Sequence, residues 1–240
     1  MTIWFTSSPT NRPAAEGEFL MRSVQRNEQH RSQQQSGFTL LELTAVMAIS
    51  LIVSVFSMIS MMPVMKQYRI TNAYNTTLSA LRQARDSAIS QRTSYSVTFS
   101  KTASSSSITV APTFAGFQGA QNTVTYQLPT DVSFDVESAF ASTPPPDGYG
   151  SGLAAIDFGY TANGGSGGAT TIYFCPDGSA QDAEGGSGNC AGSWDGGVLY
   201  IARTGDLMSS RAVTLWGGTG RIRGWRLYGN GSGGYQWQRQ

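Results

Sequence analysis

The chain reads as an α+β protein: one long N-terminal helix, membrane-spanning at first and amphipathic later, packed on a C-terminal antiparallel β-sheet domain. Three observations predict this. Between Phe38 and Met62 the only charge is Glu42, and the twenty residues Leu43 to Met62 would span about 30 Å as a helix, the thickness of a bilayer's hydrocarbon core. Ile70, Tyr74, Leu78, Leu81, Ala84 and Ala88 then recur at steps of three or four, one face of a helix. From Ser94 onward the period changes to two, as in half-buried strands.

The first element is the apolar run with its head, GFTLLELTAVMAISLIVSVFSMISMM, from Gly37 to Met62. A carboxylate at the edge of such a segment is costly unless paired, so Glu42 needs a cation within reach. Glycine, phenylalanine and an acidic residue four positions on resemble the class III signal of type IV prepilins and type II secretion pseudopilins. The resemblance implies that a prepilin peptidase cuts after Gly37. It also implies that Phe38 becomes the N-methylated terminus, and that Glu42 pairs with the terminal ammonium of a neighbouring subunit during filament assembly. Residues 1–37 are then a leader. With Met21 as an internal start the leader would shorten to MRSVQRNEQHRSQQQSG, carrying Arg22, Arg26 and Arg31 against Glu28. Basic residues before an apolar span stay in the cytoplasm, which places the chain after Met62 outside. The expected location is the bacterial inner membrane, crossed once, with the C-terminal domain in the periplasm.

Composition fits an exported domain. Residues 38–240 hold twelve Lys plus Arg and twelve Asp plus Glu, so no global basic field draws nucleic acid. Lysine is confined to Lys66 and Lys101, and any positive patch must be built from arginine, the better fork for phosphate. The roughly 175 residues after the anchor suffice for one domain with its own core.

Pro63 lies just past the apolar run, where it kinks a helix or costs a backbone hydrogen bond. Residues 63–93 form the outer part of the helix. Its last stretch and the first strand, LRQARDSAISQRTSYSVTF, resemble the GspH/FimT family of minor pseudopilins and minor pilins. Alternation then marks Tyr95, Val97 and Phe99; Ile108 and Val110; Val124, Tyr126 and Leu128; and Val132, Phe134 and Val136 as strands. Between Asp135 and Gly168 the three prolines 144–146 and the run GGSGG predict a mobile loop. A second β set follows, TTIYF, GVLYIA, RAVTLW and GRIRGWRLY. Within it IYFCPDGSA resembles the family's PDG turn, GGVLYIA a paired strand and TGRIR its closing motif. The β domain thus covers residues 94–228, and 229–240 are read as a flexible tail.

Cys175 and Cys190 flank the loop PDGSAQDAEGGSGN. In an oxidising compartment such an even pair is most simply a disulfide, closing a loop of about fifteen residues. Asp177, Asp182, Glu184 and Asp195 in and beside this loop are oxygen donors of the kind calcium uses, but their spacing fits no regular calcium loop. No metal and no cofactor are expected.

The sole histidine, His30, belongs to the leader, which leaves the remainder without an imidazole for a triad or a zinc site. No catalytic residue is expected, and the chain is itself a peptidase substrate. The remaining candidates are arginines. Arg221 and Arg223 flank Ile222, so on a strand both guanidinium groups share a face; Arg226 falls on the other face unless Gly224 makes a bulge. In the FimT branch a GR.R motif implies DNA binding, and Gly220, Arg221, Ile222 and Arg223 match it. The same ending also occurs in secretion pseudopilins, and arginines on a strand edge deter aggregation as well. The resemblance implies as partners the prepilin peptidase, other minor and major pseudopilins or pilins, the inner membrane and a secreted cargo, with DNA as the alternative.

Overall fold

The computed structural model describes residues 37–114, 122–137, 146–150, 152–161, 167–183, 190 and 192–240. His30, the basic leader residues, Pro144, Pro145, Glu184 and part of the GGSGG run lie outside them. The chain divides into two units, Met1–Ser50 and Leu51–Gln240. Helix α1, Leu40–Gln91, begins in the first and continues into the second.

In the first unit the helix starts at a cap. Thr39 accepts the Glu42 backbone N–H on its Oγ1 at 3.2 Å, and its carbonyl accepts the Leu43 N–H at 3.1 Å. Thr39 and Glu42 stand in the threonine-x-x-glutamate order of a capping box, and the acidic group sits in the first turn, where the helix dipole favours it. Through Arg69 every helix side chain is exposed, and α1 is long and apolar enough to cross a membrane. Pro63 lies inside the element, which runs on without ending there.

In the second unit, burial on α1 begins at Ile70 and follows the predicted stripe through Tyr74, Leu78, Leu81, Ala84 and Ala88, with Ala73, Thr77 and Ala80 filling the gaps. This face packs on two five-stranded antiparallel sheets. The first has the order β3-β2-β1-β5-β6, from β1 (Tyr95–Lys101), β2 (Ser106–Pro112), β3 (Val124–Gln127), β5 (Thr171–Phe174) and β6 (Ala180–Gln181). The second has the order β10-β9-β8-β7-β4, from β4 (Ile156–Thr161), β7 (Asp195–Arg203), β8 (Asp206–Trp216), β9 (Arg221–Gly229) and β10 (Tyr235–Arg239). The fold is therefore the expected α+β arrangement.

The core joins the helix stripe to Val97, Phe99, Ile108, Ile172 and Phe174 of the first sheet and to Leu199, Ile201, Val213 and Leu215 of the second. Phe99 holds it together as an aromatic hub, edge-on to Phe134 at 5.6 Å and stacked on Phe158 at 5.4 Å. The opposite face of the second sheet carries a smaller cluster, Val198, Tyr200, Ala212 and Leu227, against which Tyr149, Trp225, Tyr235 and Trp237 pack. Strand β7 is thus covered on both faces, which explains why it reads as a continuous apolar run rather than an alternation.

Three expectations need correction. The stretch 135–168 is not all loop, because Ile156–Thr161 forms the edge strand β4, paired with β7. Residues 132–136 form no strand: Ser133 makes an isolated bridge to Ala202, and alternate burial of Val132 and Phe134 comes from packing into the core. The C-terminal residues are not a tail either. Tyr235–Arg239 pair with Trp225–Gly229, and Tyr235 and Trp237 cover the outer face of the second sheet. Burial of two aromatic rings supplies the driving force that a Gly-rich composition conceals.

Candidate functional site

The N-terminal candidates lie at the head of α1. Gly37 and Phe38 precede the first helical residue and are exposed, Phe38 at 81%. Glu42 lies one helical turn further on, its backbone already held by Thr39. Its side chain is exposed on the first turn.

The C-terminal candidates sit on β9. Its register against β8 runs without a shift from Trp216↔Arg221 to Arg211↔Arg226, so Gly224 makes no bulge. Arg221 and Arg223 share the outer face, while Arg226 lies with Ile222 on the face toward α1. Gly224 instead makes room for the helix: a Cβ there would collide with the Tyr74 hydroxyl and stand 2.6 Å from Tyr74 Cζ.

The two outer arginines differ in freedom. Arg223 Nη1 donates to Asp147 Oδ1 at 2.7 Å, and Asp147 Oδ2 accepts the Thr214 hydroxyl at 2.8 Å. The Trp225 indole N–H in turn donates to Thr214 Oγ1 at 2.9 Å. These bonds hold Asp147 at φ 53, a left-handed conformation that aspartate tolerates better than most residues. Burial and the Asp147 charge raise the neighbouring Tyr149 phenol above its ordinary range. Arg221 is exposed and has no ion-pair partner among the described residues. It borders two clefts. One, of about 240 Å³, is lined by Asp147, Trp216, Thr219 and Arg223; the other, of about 590 Å³, by Arg82, Arg85, Asp86, Gly220 and Ile222.

Arg85, part of the QAR string on α1, has a role that sequence reasoning did not assign. Its Nε donates to the Gly178 carbonyl and its Nη2 to the Thr219 carbonyl, both at 3.2 Å. The helix string, the PDG turn and the TGRIR motif therefore meet at one guanidinium. Gly220 closes the contact with φ 59; a Cβ there would strike the Gly178 carbonyl oxygen and lie 2.8 Å from Arg85 Nε. Nothing local in the sequence links Asp147 to Arg223, 76 residues away.

Cys175 and Cys190 are joined in a disulfide. Of the nearby acids, Asp177 accepts the backbone N–H and hydroxyl of Ser179 at 2.8 and 2.6 Å, which lower its pKa. Asp195 is 4% exposed, and its Oδ1 has no hydrogen-bond partner among the described residues. Burial and the neighbouring Asp182 carboxyl push it up to about 6. Asp182 and Asp195 lie together, but no group of three metal-ligating side chains occurs among the described residues.

A model of the prokaryotic N-terminal methylation motif matches residues 32–61. No curated protein and no solved structure matches the chain. The motif indicates a type IV pilin-like or pseudopilin-like protein, and the apolar helix that continues from it, long enough to cross a membrane, and the antiparallel sheets fit that kind of chain.

Proposed function

We propose that the chain is a minor pseudopilin of the GspH/FimT family, resembling the H subunit of type II secretion systems, at or near the tip of a periplasmic pseudopilus that supports protein secretion. In this reading the leader ends at Gly37, Phe38 is methylated and residues 38–62 span the inner membrane. Residues 63–93 continue the helix into the periplasm, and the β domain contacts sister subunits or cargo. Glu42 sets the register of assembly by pairing with the terminal ammonium of a neighbour.

The observation that carries the family assignment is the meeting of its three sequence landmarks at Arg85, which ties the helix to the PDG turn and the TGRIR motif. The test of the filament reading is Glu42→Val. The variant is expected to be cleaved after Gly37 and retained in the membrane, with Phe38 at the terminus by mass spectrometry, but to drop out of sheared filaments. Normal incorporation and secretion without Glu42 would sink the filament reading and leave a stand-alone anchored binding domain.

A second reading, a type IV minor pilin that binds DNA during uptake, is favoured by one observation. Arg221 and Arg82 are both exposed on the same cleft, and neither forms an ion pair among the described residues. Fluorescence anisotropy of Lys66–Gln240 with a short duplex, with and without Arg221→Ala and Arg223→Ala, separates the two. Salt-sensitive micromolar binding lost in the double variant selects DNA uptake, and no binding at low salt selects secretion.

A further inference from the structure

Two arginines lie opposite each other on the helix-facing side of the second sheet. Arg211 of β8 and Arg226 of β9 are register partners, and like charges directly opposite destabilise a strand pair unless something neutralises them. No carboxylate lies within 4.0 Å of either guanidinium among the described residues; the nearest acid in sequence, Asp206, is engaged by Arg203 at 3.1 Å. Arg211 is the largest fully buried side chain, 2% exposed, and is held by one nitrogen, Nη1, which donates to the Ser209 and Ser210 carbonyls.

Arg226 is partly exposed and stacks over the Tyr228 ring at 4.9 Å, while its buried Nε has no hydrogen-bond partner among the described residues. Each guanidinium carries five donors. Among the described residues these two forks on adjacent strands make two hydrogen bonds, both from Arg211 Nη1, and one ring contact. A buried cation with unfilled donors costs free energy that an oxyanion placed between the forks would recover.

We propose that Arg211 and Arg226 form a binding site for a phosphate-class oxyanion, entered from the partly exposed Arg226 side. Burial and the charge of Arg226 together lower the Arg211 pKa to about 10, the mutual repulsion that a bound anion would relieve. Paired guanidinium forks suit the tetrahedral oxygens of phosphate better than a lysine would. The site is distinct from the Arg221 clefts, because neither Arg211 nor Arg226 lines them. The source is either a free anion or a lipid phosphate. Tyr74, which packs beside this pair on α1, stands twelve residues past Met62, about 18 Å of helix.

The test uses the full chain in neutral detergent and in phosphatidylcholine vesicles with or without phosphatidylglycerol. Inorganic phosphate at about 20 mM, compared with chloride at equal ionic strength, is expected to raise Tm by about 5 °C for a millimolar site. The rise should vanish in Arg226→Gln and in Arg211→Met, and persist in Arg221→Gln. If Arg211→Met does not fold, Arg226→Gln decides alone. A Tm already raised in phosphatidylglycerol vesicles, with no further response to phosphate, assigns the lipid headgroup; a phosphate response equal in both vesicles assigns the free anion. No rise in the wild type, or an equal rise in Arg226→Gln, overturns the site.

Discussion

Replacing Gly224 by alanine tests how closely α1 is seated on the second sheet. The added Cβ would meet the Tyr74 hydroxyl, and would stand 2.6 Å from Cζ and 3.1 Å from Cε2 of the same ring. Ordinary contacts between heavy atoms are about 3.5–4.0 Å, so the phenol, whose hydroxyl stands nearest, must retreat by about 2 Å. It has little room to do so, since Tyr74 is 5% exposed and packed into the core. Overpacking of this kind costs about 1–3 kcal/mol. Alanine in a strand interior recovers about 0.5–1 kcal/mol relative to glycine. The net expectation is a loss of about 1–2 kcal/mol, or about 3–6 °C in Tm for a chain of this size. The assay is thermal or urea unfolding of the full chain in detergent, followed by tryptophan fluorescence, within a double-mutant cycle against Tyr74→Leu. Withdrawing the ring should cancel most of the penalty, giving a coupling of about 1–2 kcal/mol. A neutral or stabilising Gly224→Ala, or a penalty unchanged by Tyr74→Leu, would refute the close-approach reading.

Arg85→Ala removes two hydrogen bonds to carbonyl oxygens at 3.2 Å and should cost about 1–2 kcal/mol, with faster amide exchange confined to the PDG turn and residues 217–220. Asp195 titrates near 6 when folded, above the ordinary 3.8, so its contribution to stability is complete below pH 3.8 and is lost as pH rises through 6. Unfolding free energy should therefore fall by about 2 kcal/mol between pH 4 and 7, and Asp195→Asn should flatten that slope. Asp177 acts oppositely: its depressed pKa makes its contribution present above 3.8 and lost as pH falls further, so Asp177→Asn should reduce the acid sensitivity below pH 4. Reduction of Cys175–Cys190, which closes a separation of 15 residues, should lower stability by about 3 kcal/mol, measured as a shift in urea midpoint with dithiothreitol.

Legibility in the sequence varied with how local the cause was. The buried stripe of α1 was readable because a helix repeats its core contacts every three or four residues, and β1 and β2 because each buries one face. Strand β4 was hidden by its setting, an edge position with Gly159 at φ 102 and a register shift between Phe158 and Tyr160. Strand β10 did carry a signal, Tyr235 and Trp237 alternating with glutamines, but the glycines before it dominated the reading. At the site, the shared face of Arg221 and Arg223 followed from strand period alone. The Asp147 contact that restrains Arg223, and the Arg211↔Arg226 pairing, depend on strand order and on a turn far away in sequence, which no local pattern encodes.

The Arg85 contact also fixes how force travels. Gly178 belongs to the turn between β5 and β6 of the first sheet, and Thr219 to the turn between β8 and β9 of the second. Tension drawn along α1 therefore reaches both sheets together, through one guanidinium at the top of the helix and the Tyr74 ring lower down. Both fastenings are strained sideways, across the helix surface, rather than opened one after another like a zip. Sideways strain engages the packed contacts between them at once, so the stretch of α1 from Ile70 onward and the two sheets resist an axial pull together.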